Sequence, residues 1–375
     1  MRRFYSEFAR RWSRGSRSRS RPRGVGGSRP AWAACVGCLV WPWAAVGVSP
    51  AGPPVEAGAR VVATERLMGV PWTITAHAPT ERAGRDAIAA AFAEVGRLER
   101  ILSDYDPESE LCRLSAAAPT TTPRPVGPDL WRVLSRAVTI RDASGGAFDP
   151  TVGPLTTLWR QARRSGRLPL ESRLAAARAA VGPGMLVLEA ETRSVTLGRP
   201  GMRLDLGGIG MGYAADRALE VLEHHGVAAA MIDASGDVLV SGPPPGAAGW
   251  RIAVAPLRPA AGSDAGGEVV LAHAAVTTSG DAFQGVEIDG RRYSHIVDPR
   301  TGLGVAGPAA VTVIARDCTT ADAAATAASV LGPDAAAAFL RGMGDCAARF
   351  VWREGEAVRT AVVGPWPTQN PQTRR

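Results

Sequence analysis

The sequence predicts a domain of mixed α and β structure, α+β or α/β, and three observations carry that reading. Apolar residues alternate in some segments and recur at helical spacing in others, and the two kinds follow each other along the chain. Gly- and Pro-rich stretches separate them. No period of about 20 to 50 residues recurs, which excludes solenoids. With 375 residues, 46% hydrophobic and 21% charged, the chain is long enough and apolar enough for a sizeable core.

The N-terminus reads differently from the rest. Residues 1–30 hold ten arginines against the single acid Glu7, more than the whole formal charge of +8, and are expected to be a basic disordered leader. The remainder is close to neutral and has no basic stripe, so nucleic acid is not an expected partner. Residues 31–48, AWAACVGCLVWPWAAVGV, are uncharged and apolar. A basic segment followed by an apolar one and then SPAGPP has the order of a signal or membrane anchor, which predicts export to the periplasmic side of the inner membrane. CVGC ends at Cys38 as an imperfect lipobox, leaving cleavage, lipidation and a retained anchor as alternatives. Residues 49–66 read as a linker, 67–364 as the folded domain and 365–375 as a disordered tail. Beyond the leader stand Cys112, Cys318 and Cys346, an odd number without a CxxC spacing, so neither a disulfide framework nor structural zinc is expected. Lysine is absent, which excludes a Schiff-base or P-loop lysine.

Within the domain, LMGVPWTITAHA (67–78) alternates as a first strand. Ile88, Phe92, Val95, Leu98, Ile101 and Leu102 place one apolar face on a helix over 83–103. A second helix is expected over 127–146, stopped by Gly145–Gly146. An Arg-rich polar segment follows FDPTVGPLTTLWR, then strands at 185–189 and 193–197. LDLGGIGMGYAADRALEVLEHHG (204–226) reads as a strand end, a glycine loop and a helix beginning near Tyr213. Residues 228–242 and 250–257 look like neighbouring strands joined by a Gly/Pro loop. A strand at 309–317 leads into a helix over 319–332.

The glycine loop suggests an anion cradle, since glycine lets the backbone approach closely and a helix start directs free N–H groups at a phosphate. It is not a Rossmann fingerprint: Tyr213 stands where the third glycine belongs, and no second strand with an acid follows. Asp205 lies at the mouth of the loop, as a ligand contact or as a loop hydrogen bonder. Asp322 and Thr326, four residues apart, share one helix face. Two oxygen groups one turn apart suit Mg²⁺, which completes its shell with water and substrate phosphate; the alternative is a capping Asp and a back-bonding Thr. His295 and Asp298 lie three residues apart in RRYSHIVDPRTG, where His295 reads as a general base or a core histidine. His77, His224, His225 and His273 show no ligand spacing. Asp149 sits in a Gly/Pro-rich loop, and TTSGDAFQG (277–285) is a second small-residue loop.

Taken in order, MG (68–69), LSDYDPESEL (102–111), GAFDPTVGPLTTLW (146–159), LDLGGIGMGYAADRALEVL (204–222), ASGDVLVSG (234–242), TTSGD (277–281), RRYSHIVDPRTG (291–302) and TADAAATAASVLGP (320–333) resemble the ApbE family of flavin transferases. The resemblance spans roughly residues 67–350. It implies an α+β, T-fold-like single catalytic domain with mixed sheets and flanking helices. It also implies an enzyme that binds FAD and, with Mg²⁺, moves the FMN moiety onto a threonine of an acceptor flavoprotein, releasing AMP. By position, it implies Gly208 (main-chain oxygen), Asp322 and Thr326 as metal ligands. It implies Met68, Tyr105, Ala147, Phe148, Asp149, Asp205, Met211 and Val297 at flavin-nucleotide positions, and His295 as the catalytic base with Asp298 as its partner or substitute. Exported members agree with the leader, through which membrane contact is expected. This chain departs from the family at Gly207–Gly208, at Met211 (usually Lys or Glu), at Ala325 (sometimes an acid) and after TTSGD, where Phe283 is the sole aromatic. Two other readings remain: an FAD pyrophosphatase using water as nucleophile, and a periplasmic FAD-binding protein without turnover.

Overall fold

A computed structural model of the chain describes residues 58–254, 267–280, 285–306, 309–355 and 357–367. The expected leader, anchor segment and Cys38 lie outside the described residues, as does Phe283.

Strand β1 (Ala59–Leu67) pairs along its whole length with β2 (Val70–Ala78). Met68 and Gly69 form the turn, with φ of 49° and 81°. Both central residues at positive φ give a turn whose twist matches the flanking strands. The expected linker therefore stops short: residues 59–66 are strand, and the strand expected first is the hairpin's second arm. Its partner escapes a pattern reading because it is an edge strand of which Val61 alone is fully buried.

Helix α1 (Glu81–Leu102) follows as expected, capped by Thr80 and burying Ile88, Phe92, Val95, Leu98 and Leu102. Then come α2 (Glu110–Ala116), β3 (Arg124–Pro125), α3 (Pro128–Ala143), α4 (Gly153–Ser165) and α5 (Glu171–Arg178). The stretch expected to be an Arg-rich polar segment is thus largely helical. Helix α4 buries Leu155, Leu158, Trp159 and Ala162 beneath its arginines, and α5 buries Leu174 and Ala177 alone. Strands β4 (Leu186–Glu189) and β5 (Ser194–Leu197) form a small sheet with β3.

Helix α6 (Gly210–His224) starts three residues before Tyr213. The LDL stretch ahead of it is not a strand end. Arg203 makes an isolated bridge to Val152, and the Asp205 N–H donates to the Pro150 carbonyl at 2.9 Å, which pins the loop to the α4 approach. Strands β6 (Ala229–Ala234) and β7 (Asp237–Val240) form a hairpin around Ser235–Gly236. Strand β8 (Trp250–Val254) pairs with β9 (Gly267–Leu271) and not with β6 or β7, correcting the expected neighbours. Strands β10 (Ala274–Gly280), β11 (Val286–Ile288), β12 (Arg291–Asp298), β13 (Leu303–Ala306) and β14 (Ala309–Ala315) precede α7 (Cys318–Gly342), β15 (Ala347–Glu354) and β16 (Ala357–Val363).

Eight strands make the main sheet, in the order β1-β2-β6-β7-β10-β14-β15-β16, and every pairing in it is antiparallel. Antiparallel ladders with segregated helices are α+β and not α/β. Helix α6 packs against both α1 and α7, with α7 lying on β10 and β14. On the other face, Trp250, Ile252, Val254 and Val269 of the β8–β9 pair cover Val238, Val240, Val276 and Ile314. Trp366 packs onto the same cluster, so the expected tail begins later than residue 365.

Helix α7 is long and apolar enough to cross a membrane, but it is a core helix, burying Ala321 to Ala325. Gly332, at φ 73°, breaks it where the sequence reading ended it. Helix resumes at once because Pro333 takes a first-turn position, where its missing N–H costs nothing. Asp317 caps its start, accepting the Thr320 N–H at 2.7 Å. Asp216 of α6 accepts the Cys318 and Thr319 N–H groups at 2.8 and 2.9 Å, tying α7 to α6. Burial pushes the Asp216 carboxyl up to about 6.

The two helices touch closely at Gly212. A Cβ there would stand 2.7 Å from the Cys318 carbonyl carbon and 2.9 Å from the Thr319 nitrogen. Backbone cannot give way as a side chain can. Gly212→Ala is expected to destabilise the protein by about 1–3 kcal/mol, read as a lower urea midpoint at unchanged slope.

Candidate active site

One cleft of about 930 Å³ opens between the sheet ends, the β1–β2 turn, α4, the 205–211 loop and α7. It is lined by Met68, Tyr105, Ala147, Phe148, Asp149, Asp205, Gly208, Met211, His295, Val297, Asp322 and Thr326. These residues come from points up to 258 positions apart in the chain (68 to 326). Every residue singled out as a site candidate is therefore in it, with one exception.

That exception is Asp298. Its carboxylate accepts the Arg300 guanidinium at 2.9 and 3.0 Å and the Arg300 N–H at 2.9 Å, and its carbonyl accepts the Gly302 N–H at 2.8 Å. Asp298 builds the turn out of β12. The carboxylate expected to partner or substitute for His295 is thus held by Arg300.

His295 reaches the cleft through an irregularity. Tyr293 pairs with Ala306 and Val297 with Gly304, so two extra residues bulge from β12 between them. The Ile296 N–H is taken by the Ser294 hydroxyl at 3.1 Å. Bulges re-aim a side chain next to a site; here His295 is exposed while Ser294, Ile296 and Val297 are buried.

The mouth of the cleft is organised by Arg160, which the sequence reading did not single out. Its guanidinium binds Asp104 and, at 3.0 Å, Asp205. The same group lies 4.3 Å from the centre of the Tyr105 ring, which is 73% exposed. Asp205 also accepts the Thr156 hydroxyl at 2.7 Å and the Gly207 N–H at 2.8 Å. Burial, then the neighbouring Asp205 charge, raise the Asp104 carboxyl against the pull of Arg160. Thr156 and Arg160 are one turn apart in α4, a spacing that could have been read had the segment been recognised as helix. Arg160→Leu leaves two buried carboxylates without their shared cation. It is expected to cost about 3 kcal/mol of stability, checked by urea unfolding.

Asp149 is buried and turned inward to its own loop, accepting the Thr151 N–H at 2.8 Å and hydroxyl at 2.6 Å. Burial raises its carboxyl. Phe148 and Ala147 hold the loop against the core. Met211, in the first turn of α6, brings no charge to the cleft wall.

The inner end of the cleft is lined by oxygen. Asp322 is 6% exposed and accepts the Gly212 N–H at 3.2 Å. The Thr326 hydroxyl lies 3.4 Å from that of Ser279. Gly208 packs against Thr326 so tightly that a Cβ would meet its Oγ1 at 2.8 Å. Burial pushes the Asp322 carboxyl up to about 7, opposed by the Gly212 N–H and reinforced by Asp216. Asp237, on the opposite wall, is raised well above the usual range by burial and then by Asp322 and Asp233.

Among the described residues no three His, Cys, Asp or Glu side chains form a metal cluster. A site made of a carboxylate, a hydroxyl and a main-chain oxygen is outside that pattern. The donors fit a hard divalent cation: all are oxygen, no arginine pairs with Asp322 among the described residues, and substrate phosphate can complete the shell.

A family model described as the ApbE family matches residues 68–350. An FAD:protein FMN transferase of Klebsiella pneumoniae (strain 342) is 30% identical over 318 residues, covering 83% of this chain and 89% of the relative. One from Treponema pallidum (strain Nichols) is 31% identical over 280 residues, 71% of this chain and 77% of the relative. Among solved structures, the apo flavinyl transferase ApbE of Pseudomonas stutzeri is similar with a TM-score of 0.71 at 29% identity, covering 83% of this chain and 96% of that one. The flavin transferase ApbE of Vibrio cholerae gives 0.72 at 25% identity, over 81% and 97%.

Proposed function

The chain belongs to the ApbE family, and from that premise we propose that it moves the FMN moiety of FAD onto a threonine hydroxyl of an acceptor flavoprotein, with Mg²⁺ and with release of AMP. Its family makes it an FAD:protein FMN transferase. The observation that supports the finer reading is the convergence of the candidate nucleotide, metal and base residues on one cleft.

In the proposed reaction the threonine oxygen attacks the phosphorus of the FMN half. The bond from that phosphorus to the bridging oxygen breaks, and AMP leaves with the bridging oxygen. Asp322, Thr326 and the Gly208 carbonyl would hold the cation, which would supply Lewis-acid neutralisation of the diphosphate charge. His295 takes the proton from the threonine hydroxyl, whose high pKa makes a base necessary at neutral pH. Tyr105, steadied by Arg160, offers an exposed aromatic face at the mouth where a flavin or adenine ring can stack. Asp205, bound to Arg160, Thr156 and Gly207, is fixed in orientation before substrate arrives. The basic leader and the apolar segment 31–48 support an exported enzyme on the periplasmic side, touching the membrane through that segment.

The test incubates the purified protein with FAD, Mg²⁺ and candidate acceptors, followed by mass spectrometry. Covalent FMN on an acceptor threonine, with AMP in equal amount and none of either with a chelator, is the expected result. Free FMN and AMP without acceptor would point to a pyrophosphatase. Absence of label, where another family member labels the same acceptors, would overturn the proposal.

A further inference from the structure

We propose that Asp237 is a further oxygen ligand of the divalent cation, closing the site from the sheet side opposite α7. The inference rests on the metal reading above and extends it to a residue from a different element.

Strands β7 and β10 run antiparallel with Ala275 opposite Leu239 and Val276 opposite Val238. The next residues in that register are Thr277 and Asp237. Directly opposed residues project to the same face, and successive residues to opposite faces. Val238, Val240 and Val276 point into the apolar cluster under β8 and β9. Asp237 and Thr277 therefore point the other way, toward α7. Ser279, two residues beyond Thr277, lies on that same side, as its 3.4 Å approach to the Thr326 hydroxyl confirms.

Two further observations bear on that face. Thr277 is 1% exposed, and its hydroxyl has no hydrogen-bond partner. A buried hydroxyl left unpaired is destabilising and calls for an explanation. Asp237 lines the cleft with Asp322, and among the described residues its carboxylate makes no hydrogen bond or ion pair. The charges acting on it are those of Asp322 and Asp233, both acidic. Two carboxylates lining one oxygen-lined pocket, with no cationic side chain between them, can both be ionised only when a cation intervenes. A hard divalent ion accepts one or two carboxylates and fills its shell with hydroxyl, carbonyl, water and phosphate oxygen. Thr277 is then placed to donate its proton to a carboxylate oxygen or a water that the ion holds.

The test measures Mn²⁺ binding to the FAD-free protein by electron paramagnetic resonance, with thermal melts in the absence and presence of Mg²⁺. Asp237→Asn is expected to weaken Mn²⁺ binding about 10- to 100-fold. It is also expected to leave the metal-free melting temperature equal or higher, because a repulsion is removed, and to lose the rise that Mg²⁺ gives the wild type. Asp237→Glu keeps the charge and is expected to recover part of the binding. Mn²⁺ affinity of Asp237→Asn equal to wild type, where Asp322→Asn has lost it, would overturn this proposal alone. A lower metal-free melting temperature without recovery in Asp237→Glu would make Asp237 structural and overturn it as well. No Mn²⁺ binding by the wild type would overturn this proposal together with the metal reading, while labelling of an acceptor by the same preparation would show that flavin transfer stands without either.

Discussion

Asp322→Ala is expected to lower the rate of flavin transfer about 10³-fold and to abolish its response to Mg²⁺. The magnitude follows from the several kcal/mol that a bound cation contributes to a phosphoryl transition state, at 1.36 kcal/mol per factor of ten. The loss comes from the chemistry and not from the fold. Asp322 is a buried carboxyl pushed up to about 7, well above its value in an unfolded chain. The metal-free folded state thus holds a proton that the unfolded state has released between about pH 4 and pH 7. Stability of the metal-free wild type falls as pH rises through that window. In Asp322→Ala this part of the decline is absent, so its metal-free melting temperature at pH 8 is expected to match or exceed the wild type. A variant with full Mg²⁺-dependent activity would refute the ligand assignment. One that loses activity only because it melts early would refute the account of why.

His295→Ala is expected to reduce kcat about 10²- to 10⁴-fold, the usual range for a positioned general base, with little change in KM for FAD. The bulge in β12 turns this side chain into the cleft while its neighbours are buried. A base that acts on the acceptor hydroxyl contributes in the transition state and not in nucleotide binding, which is why kcat and KM should separate. Partial rescue by added imidazole would support the role. An equal rise in KM with unchanged kcat would instead make His295 a binding residue. The contrast with Asp298 is instructive. Spacing alone makes both residues candidates, but Arg300 occupies the Asp298 carboxylate on both oxygens.

Much of the fold was readable where one face of an element is buried. Helix α1 was legible because Ile88, Phe92, Val95 and Leu98 mark a single stripe. Helix α5 was not, because Leu174 and Ala177 are too few to set a period. Strand β1 has the sequence of a linker because an edge strand needs little apolar sequence; its ladder to β2 is made by backbone. The pairing of β8 with β9 was out of reach for a different reason. Alternation identifies a strand but carries no record of its partner, and chain neighbours β6 and β7 were already paired with each other.

The candidate site divides in the same way. The residues named from motifs in the sequence lie together in the cleft, except Asp298. Arg160, Thr156 and Asp237 went unnamed, since each draws its meaning from a partner distant in the chain: Asp104 and Asp205 for Arg160, Asp322 for Asp237. By itself the sequence determined the mixed α and β class, the resemblance to the family, the glycine loop that is no Rossmann fingerprint, and the side chains able to hold an oxygen-ligated cation. The tertiary structure decided which carboxylates are already neutralised and which face each other unpaired. Local pattern can specify what a residue is able to do, because backbone period and side-chain chemistry are local. Whether it is free to do it depends on which distant charges the fold brings within a few ångströms, where desolvation strengthens every attraction and repulsion.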